Sequence, residues 1–199
     1  MIRVPAVMYC IISCGVFRKE LEKIASELGF PFEVRYLEAG LHVSFDDLGE
    51  ALKSELETCN CKGYQGIIVL YGACHPSIDQ ILAPYKAVLI SCQNCIDALV
   101  TKQEVEKVSK RGLYFYLSPG WLDCWRDVFA RLNWNTEDAR RQMGCFKGVI
   151  FLDTLNNASE YEDELIQFLD FTLLPYEFMP ANLDHFKSLI MDAKKKLEE

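Results

Sequence analysis

Val7-Met8-Tyr9-Cys10-Ile11-Ile12-Ser13-Cys14-Gly15-Val16-Phe17-Arg18-Lys19-Glu20-Leu21 decides how this chain is read. Its first six residues are continuously apolar, as in a strand buried on both faces. Ser13-Cys14-Gly15 interrupts the run. From Phe17 the period changes: Phe17, Leu21, Ile24 and Leu28 fall on one helical stripe, and Gly29 supplies a stop. A second apolar run at residues 32–37 completes a strand–helix–strand unit. One basic residue precedes the first run, an arrangement that an export signal also shows. Direct passage of the run into a helix reads it as a buried strand instead, and the expected compartment is the cytoplasm.

Working outward, the same alternation recurs. Residues 66–71, 87–90, 112–117, 148–152 and 173–178 read as further strands. Helices are expected at 46–57, 77–82, 96–99, 102–109, 122–132, 136–143, 160–169 and 183–197. Buried strands alternating with helices make an α/β fold: a mostly parallel sheet with helices on both faces, built from repeated strand–helix–strand units. No Pro/Gly/Ser-rich linker divides the chain, so residues 1–199 read as a single α/β domain.

Composition narrows the function classes. The net charge of −8 and the absence of a basic stripe argue against nucleic-acid binding. The one concentrated cation run, Lys194-Lys195-Lys196, suits the negative end of a last helix. No apolar run reaches the roughly 18 residues of a membrane span. Nine cysteines is a high and odd count. Set among strong strand and helix patterns, they suit reduced thiols better than a disulfide framework.

In parallel sheets, ligands bind beyond the carboxyl ends of the strands. The residues found there are Cys14, His42, Cys74, Cys92 with Cys95, Pro119-Gly120-Trp121, and Asp153-Thr154. A thiol or an imidazole follows four strands in succession. Thiolates with an imidazole suit zinc, or an iron–sulfur cluster held by three cysteines and one other ligand. Cys14, His42, Cys74 and Cys95 are the metal-ligand candidates, with Cys92 in reserve. The spacing matches no standard zinc finger or ferredoxin, and each of these cysteines also reads as a small buried residue.

Other readings are blander. Cys10 lies within a strand and reads as core, as do Cys124 and Cys145. Cys59 and Cys61 fall in an expected polar loop, as a second thiol pair or as bystanders. His75 reads as a surface residue at a helix start that could join the site, and His185 as structural. Trp121, four residues before Trp125, reads either as core or as the wall of a pocket for a flat cofactor. Ser13-Cys14-Gly15 and Gly72-Ala73-Cys74 lie where a helix N-terminus lowers a thiol's pKa. Neither matches a nucleotide-binding fingerprint.

The chain resembles a known family, domain of unknown function family number 1638, found in methanogenic archaea and in anaerobic and other bacteria. The stretches that carry the resemblance are Ser13-Cys14-Gly15-Val16-Phe17-Arg18-Lys19-Glu20-Leu21, Ala39-Gly40-Leu41-His42, Tyr71-Gly72-Ala73-Cys74, Asn94-Cys95, Ser118-Pro119-Gly120-Trp121, Leu152-Asp153-Thr154 and Tyr161-Glu162. The family's recurrent polar residues fall on His42, Cys74 and Cys95. The chain departs from the family at His75, where glycine is usual, at Asn94, where aspartate is usual, and at Leu155, where glycine is usual. Members often accompany corrinoid-dependent methyltransferases, which implies a role near a methyl group or a corrinoid. The resulting expectation is a metal-binding protein with a Cys/His site for zinc or an iron–sulfur cluster, acting in corrinoid-dependent methyl transfer or one-carbon metabolism. Its partner would be a corrinoid protein or a methyltransferase. Two alternatives stand beside it: a non-catalytic accessory protein of a methyltransferase complex, and a metal-free thiol enzyme using Cys14 or Cys74.

Overall fold

In the computed structural model, which describes residues 8–199, β1 is Tyr9–Cys14 and all six of its residues are buried. Val7, the expected start of that strand, lies outside the described residues. β1 pairs in parallel with β2 (Phe32–Leu37) on one side and with β3 (Ile67–Leu70) on the other; β4 (Ala87–Leu89) adds beside β3. A second parallel sheet holds β5 (Tyr114–Leu117), β6 (Gly148–Asp153) and β7 (Tyr176–Pro180), in the order β5-β6-β7. The fold is α/β with parallel strands, as expected, but the strands divide between two sheets. β4 is three residues long and half-buried, and the last helix packs over β3 and β4, so the first sheet ends there.

The helices are α1 (Arg18–Ile24), α2 (Phe45–Lys62), α3 (Ile78–Leu82), α4 (Cys95–Leu99), α5 (Lys102–Ser109), α6 (Pro119–Arg131), α7 (Thr136–Met143), α8 (Glu162–Thr172) and α9 (Asp184–Glu198). Several boundaries differ from the sequence pattern. The helix expected at 17–28 is α1 flanked by single 3₁₀ turns at Gly15–Phe17 and Ala25–Glu27. α2 runs on to Lys62 and stops at Gly63, whose φ of 71° is the left-handed conformation glycine tolerates. Cys59 and Cys61 therefore lie on a helix, not in a loop. α6 begins at Pro119 because the Ser118 hydroxyl accepts the Trp121 N–H and proline suits the first helical turn. α8 continues to Thr172, and Leu173 at φ 58° ends it, which delays β7 to Tyr176.

Buried apolar residues of both sheets form one contiguous core, with Phe17, Phe151, Phe168 and Phe186 among its largest members. Burying each such ring contributes about 1.5–3 kcal/mol. α6 joins the two sheets: it packs against the turn at Gly15–Phe17, against α1, against the turn at Leu41–Val43, and against α8. The segments that follow β1 and β2 thus meet α6, which follows β5.

Candidate functional site

Four cysteines come together beyond the first sheet. Cys14 ends β1, Cys74 lies in the loop after β3, Cys92 lies in the loop after β4, and Cys95 opens α4. The loops are held by close backbone approach. A Cβ on Gly72 would lie 2.5 Å from the Asn94 Cα, and the Ala73 N–H donates to the Gln93 carbonyl at 2.9 Å. Only glycine lets the strand β3 exit lie against the 93–94 backbone. Asn94 caps α4, its Oδ1 accepting the N–H groups of Ile96 at 2.9 Å and Asp97 at 3.0 Å. An aspartate at 94 would cap in the same way, so this departure from the family preserves the local structure.

Burial dominates the chemistry of these thiols. It pushes Cys14 up to about 12, Cys92 up to about 12 and Cys95 up to about 11, and raises Cys74 as well. The thiols also act on one another. Charge on Cys95 or Cys74 further raises Cys14, charge on Cys74 raises Cys95, and charge on either raises Cys92. No cation stands among the leading causes at any of the four. Hydrogen bonds oppose the rise: the Val16 N–H at Cys14, and the Trp121 indole N–H at Cys95, donated to its Sγ at 3.3 Å. The Cys92 thiol donates to the Tyr71 carbonyl at 3.6 Å.

Tyr71 is the site residue that the sequence pattern concealed. It follows β3 directly, is buried, and stands beside Cys14 and Cys74, with its hydroxyl directed at the Cys14 thiol. A hydroxyl donated to Cys14 favours the thiolate there, so Tyr71 opposes part of the rise that burial imposes. Tyr71 reads in sequence as the last apolar residue of a strand, and only its place in the Tyr71-Gly72-Ala73-Cys74 stretch hinted at more.

No histidine stands among the leading charges that act on these thiols. His42 sits on the short turn Leu41–Val43, half-buried, with burial lowering its imidazole pKa and no thiol acting on it. His75 is turned toward α2: its Nδ1 accepts the Ser77 N–H at 3.0 Å, its ring meets Phe45 edge-on at 5.9 Å, and a Cβ on Gly49 would lie 3.1 Å from its Nε2. His185 Nε2 lies 3.0 Å from the Asp97 carbonyl oxygen and ties α9 to α4. Cys74 precedes α3 by a loop, and α3 is a five-residue helix, so no helix dipole acts on that thiol. Trp121 is buried and points its N–H at Cys95. The cleft of about 530 Å³ that Trp125 lines is built with Phe129, Trp134, Arg140 and Phe171, without Trp121. Leu155 does not occupy a left-handed position; the neighbouring Asn156 does, at φ 58°.

Outside this set, Cys10 and Cys59 form a second pair, with sulfurs 3.0 Å apart between β1 and α2. All nine cysteines are free thiols. Among the described residues, no group of three or more His, Cys, Asp or Glu side chains stands ready-made around a metal position. The donor chemistry of Cys14, Cys74 and Cys95 nevertheless suits a soft metal. A cleft of about 740 Å³, lined by Ala73, Cys92, Gln93, Asp97, Lys102 and His185 among others, opens beside the thiols. No helix among the described residues is long and apolar enough to cross a membrane.

A family model described as "Protein of unknown function (DUF1638)" matches residues 36–190. No curated protein matches the chain. A crystal structure of the lac repressor bound to ONPG in the repressed state superposes with a TM-score of 0.45 at 11% identity, over 98% of this chain and 76% of that one.

Proposed function

Given that the chain belongs to the family described as Protein of unknown function (DUF1638), we propose that Cys14, Cys74 and Cys95 are the metal ligands of a soft-metal site, with Cys92 beside them. The observation that carries this reading is the convergence of thiols from the ends of β1, β3 and β4, close enough to act on one another's charge, with the Tyr71 hydroxyl beside Cys14 and Cys74. The metal is zinc or the iron of an iron–sulfur cluster, the two that thiolate-rich sites take.

The same burial that gathers the thiols keeps them protonated near neutral pH, which disfavours a metal-free thiol enzyme. Cys14, Cys74 and Cys95 would hold the metal as thiolates; a bound cation would supply the positive charge they lack and, as zinc, would favour the thiolate of a thiol substrate or, as an iron–sulfur cluster, would support electron transfer. The chain's own residues set the surroundings. The Trp121 N–H favours the thiolate of Cys95, the Val16 N–H favours that of Cys14, and the cleft beside Cys92 admits a small substrate. His42, on the Leu41–Val43 turn, is the fourth ligand of this reading; burial lowers its imidazole pKa, which favours the neutral form that binds metal.

On the resemblance rather than on geometry, we place this site beside corrinoid-dependent methyl transfer or one-carbon metabolism in the cytoplasm, with a corrinoid protein or methyltransferase as partner and no nucleic acid. The deciding experiment is anaerobic purification, metal and sulfide analysis, and a visible spectrum. Stoichiometric zinc, or iron with sulfide, is expected in the parent and is lost in Cys74→Ala and Cys95→Ala but retained in Cys145→Ala. A metal-free parent under anaerobic conditions would overturn the reading. Added cobalamin tests the corrinoid role, through a change in its visible spectrum that Trp121→Ala removes.

A further inference from the structure

We infer that Glu20 is a positioning residue for the thiol site: a buried carboxyl on α1 that fixes the first turn of α6 and, through it, the Trp121 indole that donates to Cys95. The inference rests on reading the thiol cluster as the working site.

Glu20 lies on the helix stripe opposite to where a charged residue belongs, and it is fully buried. Acidic residues are almost never buried this completely without a cationic partner. Glu20 has none. Its Oε1 accepts the Gly120 N–H at 3.4 Å and the Thr154 hydroxyl at 3.2 Å, and the Ser118 side chain also faces the carboxyl. Its contacts therefore come from the ends of β5 and β6, in the other sheet. An apolar residue would fill this space without the desolvation cost, so the carboxyl is retained for what it holds.

What it holds is position 120. A Cβ there would lie 2.1 Å from the Val16 carbonyl oxygen and 2.7 Å from Glu20 Oε2, so Gly120 is clamped between the Gly15–Phe17 turn and the carboxyl. Trp121 follows directly. Its backbone N–H is held by Ser118 Oγ at 3.3 Å, its ring meets Phe115 edge-on at 5.6 Å, and its Nε1 reaches Cys95 Sγ at 3.3 Å. Glu20 crosses from the first sheet's helices to the second sheet, and Trp121 crosses back through the adjacent residue. Release of Gly120 swings the indole off Cys95. Burial raises the Glu20 pKa, and glutamine keeps the side chain's shape and an oxygen that accepts the same bonds.

The test uses protein labelled with ¹⁵N at tryptophan, which gives one indole N–H resonance for each of the three tryptophans; Trp121→Phe assigns one of them. In Glu20→Leu the Trp121 resonance is expected to shift and its hydrogen exchange to accelerate roughly tenfold, the effect of losing one such bond. The Trp125 and Trp134 resonances stay in place, and Glu20→Gln restores the parent spectrum. Thr154→Val, which removes one partner of the carboxyl, is expected to shift the same resonance less, and it carries the test if Glu20→Leu does not fold. An unmoved Trp121 resonance, equal movement of all three, or failure of Glu20→Gln to rescue overturns the inference. No metal enters the measurement, so its failure is distinct from failure of the metal reading.

Discussion

The indole Nε1 of Trp121, on the helix that follows β5, donates to the Sγ of Cys95, on the helix that follows β4, at 3.3 Å. This bond links the two sheets at the thiol site. It opposes the rise that burial imposes on Cys95.

Trp121→Phe keeps the ring and removes the donor. The Cys95 thiol, pushed up to about 11 by burial, is then expected to rise further. Iodoacetamide labelling of Cys95, followed by mass spectrometry across pH, should slow relative to Cys145. Metal affinity should fall by roughly tenfold or more, as on losing an outer hydrogen bond to a ligand. An unchanged labelling profile counts against the bond.

Metal uptake should depend steeply on pH. Each thiol with a raised pKa must lose its proton on binding, so affinity rises about tenfold per pH unit for each such ligand. Cys14 and Cys95, at about 12 and about 11, both contribute. Chelator competition between about pH 6 and about pH 8 measures the slope; Cys95→Ser should lower it, whereas Cys145→Ala should not.

Glu20 sets a stability slope of known sign. Its folded-state pKa lies above the ordinary 4.5, so the folded state holds the proton more tightly than the unfolded chain. The stabilisation is complete below the unfolded value and is lost as pH rises through the folded value. Urea melts of the parent should weaken from about pH 5 upward. Glu20→Gln should remove that part of the slope.

The Cys10–Cys59 pair predicts a contrast within one helix. Cys59→Ala opens space beside Cys10 and should cost about 1–2 kcal/mol. Cys61→Ala, two residues on and exposed, should stay within about 0.5 kcal/mol. Equilibrium urea unfolding separates the two.

Gly72→Ala places a Cβ 2.5 Å from the Asn94 Cα and 2.6 Å from the Gln93 carbonyl oxygen. Both neighbours are backbone, so the loop after β3 must separate from that after β4. A loss of about 3 kcal/mol is expected, together with loss of metal binding, measured by unfolding and by metal content.

Sequence by itself determined the local structure and the place of the thiols. The apolar run of β1, the helical stripe after it, and their recurrence gave the strands and their parallel direction, because period and burial leave a local imprint on residue order. The rule that ligands gather beyond strand ends singled out Cys14, His42, Cys74, Cys92 and Cys95; in the structure the four thiols act on one another's charge, but no group of three stands ready-made around a metal position among the described residues. Tertiary structure alone decided the rest. It divided the strands between two sheets, paired Cys10 with Cys59 across 49 positions, and brought Glu20 to Gly120 across 100. It also set His75 against α2 and His42 on a turn of its own. Glu20 looks like any charged residue of an amphipathic helix, and Tyr71 like the end of a buried strand. Their partners lie on other elements, and contact between distant segments depends on how helices and sheets pack, which no local period records.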